Sequence, residues 1–320
     1  MTSSPVINIA VLGAASIALR SVIPAIISLP NHFNLSGISS RDSSKAKIIS
    51  TSYECKAYGT YESLLNVSSI DAVYIPLPNA LHYPFVKMAL ENGKHVLVEK
   101  SLGCTLQEVV ELVEIAKANN LVLFENFQFR FHSQLSTILH IIKDGTIGDL
   151  RSMKVAFGFP PFLDPNNIRY SAKLGGGALL DAGAYAMKIT PFFLGNDIFV
   201  AQASSAQDQI KGVDIWGGGV VQQQDGPLFC HFSYGFDHYY QCLLELWGSI
   251  GKLTTNRIFT APVGYNPKLI VETQNVVEER SLSADDQFKN MLEHFYSLIT
   301  GSEAVLMEYE QNVQQASLIH

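Results

Sequence analysis

Long apolar runs are absent from this sequence of 320 residues. A membrane-spanning helix needs roughly 18 or more unbroken apolar residues, and no window of the sequence reaches that length. The first residues, Met1 to Pro5, also lack the basic segment that opens a secretory signal. We therefore expect neither a membrane span nor an export signal.

Charge and cysteine are sparse as well. Charged residues make up 16% of the chain, the formal net charge is −7, and Lys and Arg form no run. This composition argues against a surface for nucleic acid or for an anionic membrane. The cysteines show no C-x-x-C spacing, so we expect no metal site and free thiols in a reducing compartment, with cytoplasm as the default. They are Cys55, Cys104, Cys230 and Cys242.

Hydrophobic residues, at 47%, are abundant enough for a well-packed globular protein. A chain of this length exceeds what one core usually holds, so two domains are expected. Up to Glu125, five strand-like runs alternate with helical stretches, which predicts a doubly wound parallel sheet. Beyond it the rhythm changes, and several strand candidates from Phe199 to Glu279 predict an open, mainly antiparallel sheet. We place the domains at residues 1–125 and 126–320.

The first strand, Val6 to Leu12, runs into Gly13 and then into a helical stretch. Strand, glycine turn and helix form the context of a dinucleotide-binding fingerprint. Its glycine positions fall at Gly13, Ala15 and Ala18, and Ala15 departs from the pattern at the position that lets the backbone approach the pyrophosphate. On its own this stretch fits an ordinary strand-to-helix turn equally well.

The second strand ends in Ser39-Ser40-Arg41-Asp42. An NAD site favours an acid at this strand end, whereas Arg suits the 2′-phosphate of NADP. Arg41, with Ser40 as a hydroxyl donor, therefore predicts NADP(H) in preference to NAD(H). The alternative is a solvated Arg in a turn, and Asp42 is expected to cap the next helix.

Two further strand ends carry polar side chains. Asn79 and His82 follow a strand that ends at Pro76, and we expect them beside the nicotinamide, although His82 could equally be a surface residue of the next helix. The run from His95 to Glu99 delivers Lys100 to a strand end. Ligands of such sheets sit outside the carboxyl ends of the strands, so Lys100 is a candidate proton donor or acceptor. On this segment alone, a lysine that reaches solvent from a strand end fits equally well.

Four motifs occur in order along the chain and resemble those of the family of glucose–fructose oxidoreductase, inositol dehydrogenase and MocA-type proteins. The family's Pro-Asn-x-x-His is matched at Pro78–His82, Glu-Lys-Pro at Glu99–Ser101, Glu-x-Phe-x-x-Arg-x-His at Glu125–His132, and Gly-Gly-Gly-Ala-Leu-Leu-Asp-x-Gly-x-His/Tyr at Gly175–Tyr185. Tyr185 is similar to the residue in dihydrodiol dehydrogenases and nucleotide-sugar ketoreductases. The resemblance implies a Rossmann domain, a second α/β domain, and hydride transfer between a nicotinamide cofactor and a sugar or polyol carbon.

Together with the strand ends, the resemblance predicts the site residues. Lys100 is expected near the reacting oxygen, Tyr185 as proton relay or substrate-orienting group, and Asp181 on a substrate hydroxyl or orienting the Lys. The alternatives are a core tyrosine and a solvated aspartate. The predicted cofactor-binding residues are Gly13, Ala15, Ser16, Ile17, Ser40, Arg41, Leu77, Pro78, Asn79, His82, Glu99, Lys100, Gln128 and Arg169.

Ser101 stands where the family has Pro, whose geometry helps to aim the lysine. Either other contacts aim Lys100 or its duty has changed. Two other functions stay open at this point: a dinucleotide-binding regulator without turnover, and a glycosidase that uses a retained NAD, against which Arg41 argues. The resemblance also implies a homodimer or homotetramer formed through the second sheet. Loose candidates for the substrate wall are Trp216, His238, Tyr239 and Tyr240.

Overall fold

The computed structural model describes residues 5–301 and 304–320, which form two compact units. The first unit contains the described residues up to Asn126, those of Phe288–Leu318, and His320. The second contains Phe127–Gln287 and Ile319. Each unit is built around one sheet.

The sheet of the first unit has six parallel strands in the order β3-β2-β1-β4-β5-β6. The strands are β1 Ile7–Leu12, β2 Phe33–Ser39, β3 Lys56–Tyr58, β4 Ala72–Ile75, β5 His95–Glu99 and β6 Leu123–Asn126. Since β1 lies between β2 and β4, the strand order reverses there, and the carboxyl ends of these strands mark the place where such sheets bind ligands. The predicted doubly wound sheet is confirmed.

Side-chain caps mark the start of several helices of the first unit. The Asp42 side chain accepts hydrogen bonds from the Ser44 and Lys45 amides, and Thr105 accepts one from the Glu108 amide. The Glu108 carboxylate accepts from the Cys104 amide and not from the Thr105 amide, so a capping box at this helix is only half formed. The helices are α1 Ile23–Ile27, α2 Ser43–Ser52, α3 Tyr61–Leu65, α4 His82–Glu91, α5 Leu106–Ala118, α9 Gln287–Ile299 (its first residue belonging to the second unit) and α10 Val305–Ile319.

The second unit contains an eight-stranded sheet in the order β14-β13-β12-β11-β7-β10-β9-β8. Strands β7 and β10 pair in parallel and the other neighbours are antiparallel, which confirms the predicted sheet. The strands are β7 Leu150–Gly158, β8 Ile198–Asp208, β9 Val213–Gln223, β10 Phe229–Gly235, β11 Gln241–Gly248, β12 Gly251–Asn256, β13 Lys268–Thr273 and β14 Val276–Ser281. The helices are α6 Ser133–Lys143, α7 Ala184–Ile189 and α8 Pro191–Leu194.

The predicted domain division differs from the structure at its C-terminal end. Residues 288–318 were placed in the second domain, but the described residues of this range belong to the first unit. The Tyr309 hydroxyl donates to the Leu121 carbonyl, the Asn312 amide to the Leu123 carbonyl, and the Tyr296 hydroxyl to the Pro5 carbonyl. An amphipathic pattern shows that a helix has a buried face but not which sheet covers it.

All four cysteines are free thiols, as predicted. Within the described residues, no helix is both long and apolar enough to cross a membrane.

Candidate active site

The turn after β1 is shaped by Gly13, which has a φ of +122°. A Cβ atom built on Gly13 would lie 2.9 Å from Leu77 Cδ2 and 3.5 Å from the Pro76 carbonyl oxygen. The Gly13 amide donates to the Ser39 carbonyl at 2.8 Å, which ties the turn to the end of β2. Only glycine fits this cradle, so the turn has the close, bare backbone that a dinucleotide pyrophosphate requires.

The helix that follows the turn starts with the predicted contact residues. Ser16 is exposed, whereas Ala15 and Ile17 are partly buried. From Ala18 to Val22 the helix adopts a π-helical turn, a form that often occurs at functional sites.

Arg41 lies exposed at the end of β2. Burial raises the pKa of Tyr61, and the nearby Arg41 opposes this rise. The neighbouring Ser40 hydroxyl accepts a hydrogen bond from the Asp42 amide at 3.2 Å. A second cation, which sequence reasoning missed, is Lys45, whose Nζ donates to the Ala14 carbonyl at 2.8 Å. Placing the start of α2 directly after this strand end would have pointed to Lys45, since it lies in the first turn of that helix.

The segment after β4 brings Leu77, Pro78 and Asn79 to the edge of the first sheet, each partly buried. His82 lies deeper than predicted, since its side chain is fully buried. Its Nδ1 lies 2.7 Å from the Ser101 carbonyl oxygen and its Nε2 lies 2.7 Å from the Leu77 carbonyl oxygen. Burial lowers the pKa of His82 to about 4, although the two carbonyl contacts act in the opposite direction. Thus His82 joins two loops instead of facing a cofactor.

Lys100 stands at the carboxyl end of β5 and is partly buried. The Lys100–Ser101 peptide bond is cis. Beyond it, the Ser101 carbonyl contacts His82, and the Leu102 amide donates to the Glu125 carboxylate at 2.8 Å. The question raised by the missing proline therefore has a structural answer, because His82 and Glu125 hold the residues that follow Lys100.

Glu99 is held by two residues that sequence reasoning missed. The Tyr74 hydroxyl and the Asn126 amide each donate to Glu99 Oε1 at 2.7 Å. Burial raises the pKa of Glu99, while these hydrogen bonds and the Lys100 charge oppose the rise. Glu99 was predicted to bind the cofactor, and its carboxylate instead lies in a network within the sheet. The tyrosine in the otherwise aliphatic β4 was the available signal.

In the second unit, Asp181 forms an ion pair with Arg169, whose Nε lies 2.5 Å from Asp181 Oδ2. The Arg169 guanidinium also lies over the Phe162 ring, 4.8 Å from its centroid. Asp181 belongs to a second π-helical turn, Leu179–Gly183. Arg169 was predicted as a cofactor ligand, and within its own unit it is a partner of Asp181.

Tyr185 lies in an aromatic cluster. Its ring centroid lies 5.3 Å from that of Phe127 and 5.1 Å from those of Phe157 and Phe259. Arg169 interacts electrostatically with both Asp181 and Tyr185. Gln128, a predicted cofactor ligand, is buried, and its amide donates to the Phe259 carbonyl at 3.4 Å.

The four candidates for the substrate wall differ in their surroundings. Trp216 borders an open cavity of about 390 Å³ in the second unit, together with Tyr170 and Lys211. The Tyr240 hydroxyl bonds to Thr260, and the Tyr239 side chain is 86% exposed. Only Trp216 of these four lines the cavity.

The sequence matches two profiles of one family. Residues 7–127 match the oxidoreductase family with an NAD-binding Rossmann fold, GFO/IDH/MocA. Residues 135–268 match the GFO/IDH/MocA C-terminal domain.

The chain is similar to characterised relatives over nearly its whole length. It is 39% identical to the dTDP-3,4-didehydro-2,6-dideoxy-α-D-glucose 3-reductase of Saccharopolyspora spinosa, covering 98% of this chain and 95% of the relative. It is 29% identical to an NADP(+)-dependent D-xylose 1-dehydrogenase of Haloferax volcanii, covering 95% and 92%. Among solved structures, the 3-ketoreductase KijD10 of Actinomadura kijaniata, in complex with NADP and TDP-benzene, matches with a TM-score of 0.94 and 34% identity, covering 98% and 96%.

Proposed function

The chain belongs to the GFO/IDH/MocA family of oxidoreductases, and on that premise we propose that it is an NADP(H)-dependent sugar ketoreductase. It interconverts a ketone and a hydroxyl on a sugar carbon by hydride transfer. The observation that carries this function is the position of Lys100 at the carboxyl end of β5. The two residues that follow it are held by His82, at the Ser101 carbonyl, and by Glu125, at the Leu102 amide.

The residues at the glycine turn fit the dinucleotide. The cradle at Gly13 leaves no room for a Cβ atom, and the exposed Arg41 suits a 2′-phosphate. Lys45, which is fixed to the Ala14 carbonyl, adds a second positive charge at the same strand end. The bound cofactor supplies the hydride, and the protein supplies position and charge.

Lys100 and the Tyr185 cluster divide the remaining tasks. The Lys100 ammonium donates a hydrogen bond to the carbonyl oxygen as negative charge develops on it. Lys100 then supplies the proton that turns this oxygen into a hydroxyl group. Tyr185 relays a proton or orients the sugar. The Arg169–Asp181 pair fixes the polar side of the helix that carries Tyr185.

The substrate class that the relatives support is a nucleotide-linked sugar. The Saccharopolyspora relative reduces a dTDP-linked didehydro-dideoxy sugar, and the Actinomadura enzyme was crystallised with a TDP compound. The test measures NADPH oxidation with dTDP-linked and free 3-keto sugars, and NADP+ reduction with xylose. Turnover of the dTDP-linked ketone in preference to the free sugars is expected, and turnover of free sugars alone would contradict the substrate class.

Lys100→Met tests the role of the lysine. We expect turnover to fall by about 10²-fold or more, because a positioned proton donor contributes roughly that factor, while NADPH still binds. Lys117→Met is the control, because Lys117 forms only a surface pair with Glu114. A Lys100→Met enzyme that keeps most of its activity would remove Lys100 from the mechanism.

We also infer that the enzyme is a cytoplasmic homo-oligomer joined through the second sheet. Free cysteines support a reducing compartment, and exposed Phe199, Trp247 and Val277 on that sheet support association. Light scattering in solution tests the oligomer, and a monomer at micromolar concentration would contradict it.

A further inference from the structure

The glycine run before Asp181 has neighbours that explain its composition. A Cβ atom on Gly176 would lie 2.5 Å from the Arg169 carbonyl oxygen. Gly177 has a φ of +119°, its amide donates to that same carbonyl at 2.9 Å, and a Cβ atom on it would overlap the Asp214 carboxylate. The run therefore lets the Arg169 loop and Asp214 approach the start of the helix from two sides.

Asp214 belongs to β9 and is far from this helix in sequence. Its Oδ2 accepts a hydrogen bond from the Leu179 amide at 2.7 Å, and the nearby Ala178 amide opposes the rise that burial causes in the pKa of Asp214. These amides open the helical segment that carries Asp181 and Tyr185, where backbone donors lack partners within the helix and a negative charge is favourable.

Tyr234, from the neighbouring strand β10, completes the arrangement. Its buried ring packs against Gly183, where an added Cβ would lie 3.1 Å from Tyr234 Cδ1. Burial and the nearby Asp214 carboxylate raise the pKa of Tyr234. The segment from Ala178 to Gly183 is thus held at its first turn by Asp214 and at its end by Tyr234.

We propose that Asp214 is a positioning residue that fixes the Asp181–Tyr185 segment against β9 and β10, and thereby sets the position of the Arg169–Asp181 pair and of the Tyr185 hydroxyl. The effect of Asp214 on catalysis rests on the proposed function, whereas its effect on the structure of the segment does not. The segment begins with a π-helical turn, so its register depends on a side chain that binds the Leu179 amide from outside.

The test compares Asp214→Ala with Asp214→Asn and Tyr234→Phe. Asparagine keeps a carbonyl oxygen that can accept from the Leu179 amide, while alanine leaves this amide without that partner. In Asp214→Ala we expect kcat to fall by about tenfold to hundredfold, since misplacing a site by about 1 Å costs that much. We expect the affinity for NADPH to stay unchanged, and Asp214→Asn and Tyr234→Phe to retain most of the activity.

Hydrogen exchange provides a readout that needs no substrate. Amides of residues 177–183 should exchange faster in Asp214→Ala than in the wild-type protein, and exchange in the first unit should not change. Thr105→Ala is the control, because it removes a helix cap in the first unit and should lower stability while leaving exchange at residues 177–183 unchanged.

Local loss of protection together with rescue by asparagine would support the proposal. Unchanged exchange at residues 177–183, or asparagine no better than alanine, would overturn it. If the wild-type protein reduces no nucleotide-linked ketone, the proposed function fails on that result alone, and the exchange experiment still decides the role of Asp214.

Discussion

His82 and Glu125 hold the main chain that follows Lys100, the proposed proton donor. His82 contacts the Ser101 carbonyl and Glu125 accepts from the Leu102 amide, so the two residues after Lys100 are fixed from both sides. A lysine on a flexible four-carbon stem donates usefully only if its backbone does not move. At this position of the chain, buried side chains supply the rigidity that the family obtains with a proline.

At the residue scale, we predict that Arg41 decides the choice between NADPH and NADH. In Arg41→Ala we expect the dissociation constant for NADPH to rise about tenfold or more, because a hydrogen bond to a charged group contributes roughly 1.5–3 kcal/mol. NADH has no 2′-phosphate, so its affinity should change little. Fluorescence titration measures both constants. The exposed Lys47→Ala serves as the charge-matched control, and an equal loss for the two cofactors would contradict the assignment.

His82 should also give the protein a pH-dependent stability. Its pKa is about 4 in the folded protein against 6.5 for an ordinary histidine, so the unfolded chain takes up a proton first as pH falls. The contribution is fully present above pH 6.5 and is lost between pH 6.5 and 4, with a limit of about 3 kcal/mol. Melting temperatures across this window should fall less steeply for His82→Gln than for the wild-type protein. Parallel curves would show that His82 does not titrate in this way.

His82 shows where prediction from single residues stops. A polar residue at a strand end points to a site, and this rule selected Lys100 and Arg41 as candidates. Whether His82 turns toward a ligand or into the protein depends on the Ser101 and Leu77 carbonyls, which only the folded chain brings together. The role of Asp214 could not be predicted for the same reason, since Asp214 lies 35 residues from the Leu179 amide that it binds.

At the scale of elements, the cofactor turn depends on close approach of two strand ends. Gly13→Ala places a methyl group 2.9 Å from Leu77 Cδ2 and forces a φ of +122° on a residue with a side chain. Backbone strain of this kind costs of order 1–3 kcal/mol. We expect binding of NADPH and NADH to weaken together, by about tenfold, in the same titration. Gly59→Ala is the control because nothing lies within 4 Å of its added Cβ, and a Gly13→Ala protein that binds normally would refute the cradle.

Elements with a strong local signal were predictable and weakly marked ones were not. Asp42 marks the start of α2 and Thr105 that of α5, because a side chain that caps a helix is a local feature of the sequence. The edge strand β3 has only three residues, Lys56–Tyr58, two of them exposed, so it carries no alternation to detect. The π-helical turn at Leu179–Gly183 depends on Asp214 and Tyr234, which lie on other elements.

At the scale of the whole molecule, the last two helices belong to the unit that begins the chain. In Tyr309→Phe, the Leu121 carbonyl loses its side-chain partner, and an unsatisfied buried group costs about 1–3 kcal/mol. A ligand raises the melting temperature of the unit that binds it, so NADPH identifies the unfolding transition of the first unit. We expect Tyr309→Phe to move this NADPH-sensitive transition to lower temperature. Tyr239→Phe, at an exposed position, should move neither transition. If Tyr309→Phe lowered only the transition that NADPH does not affect, α10 would contribute its stability to the second unit and the division at Phe288 would be wrong.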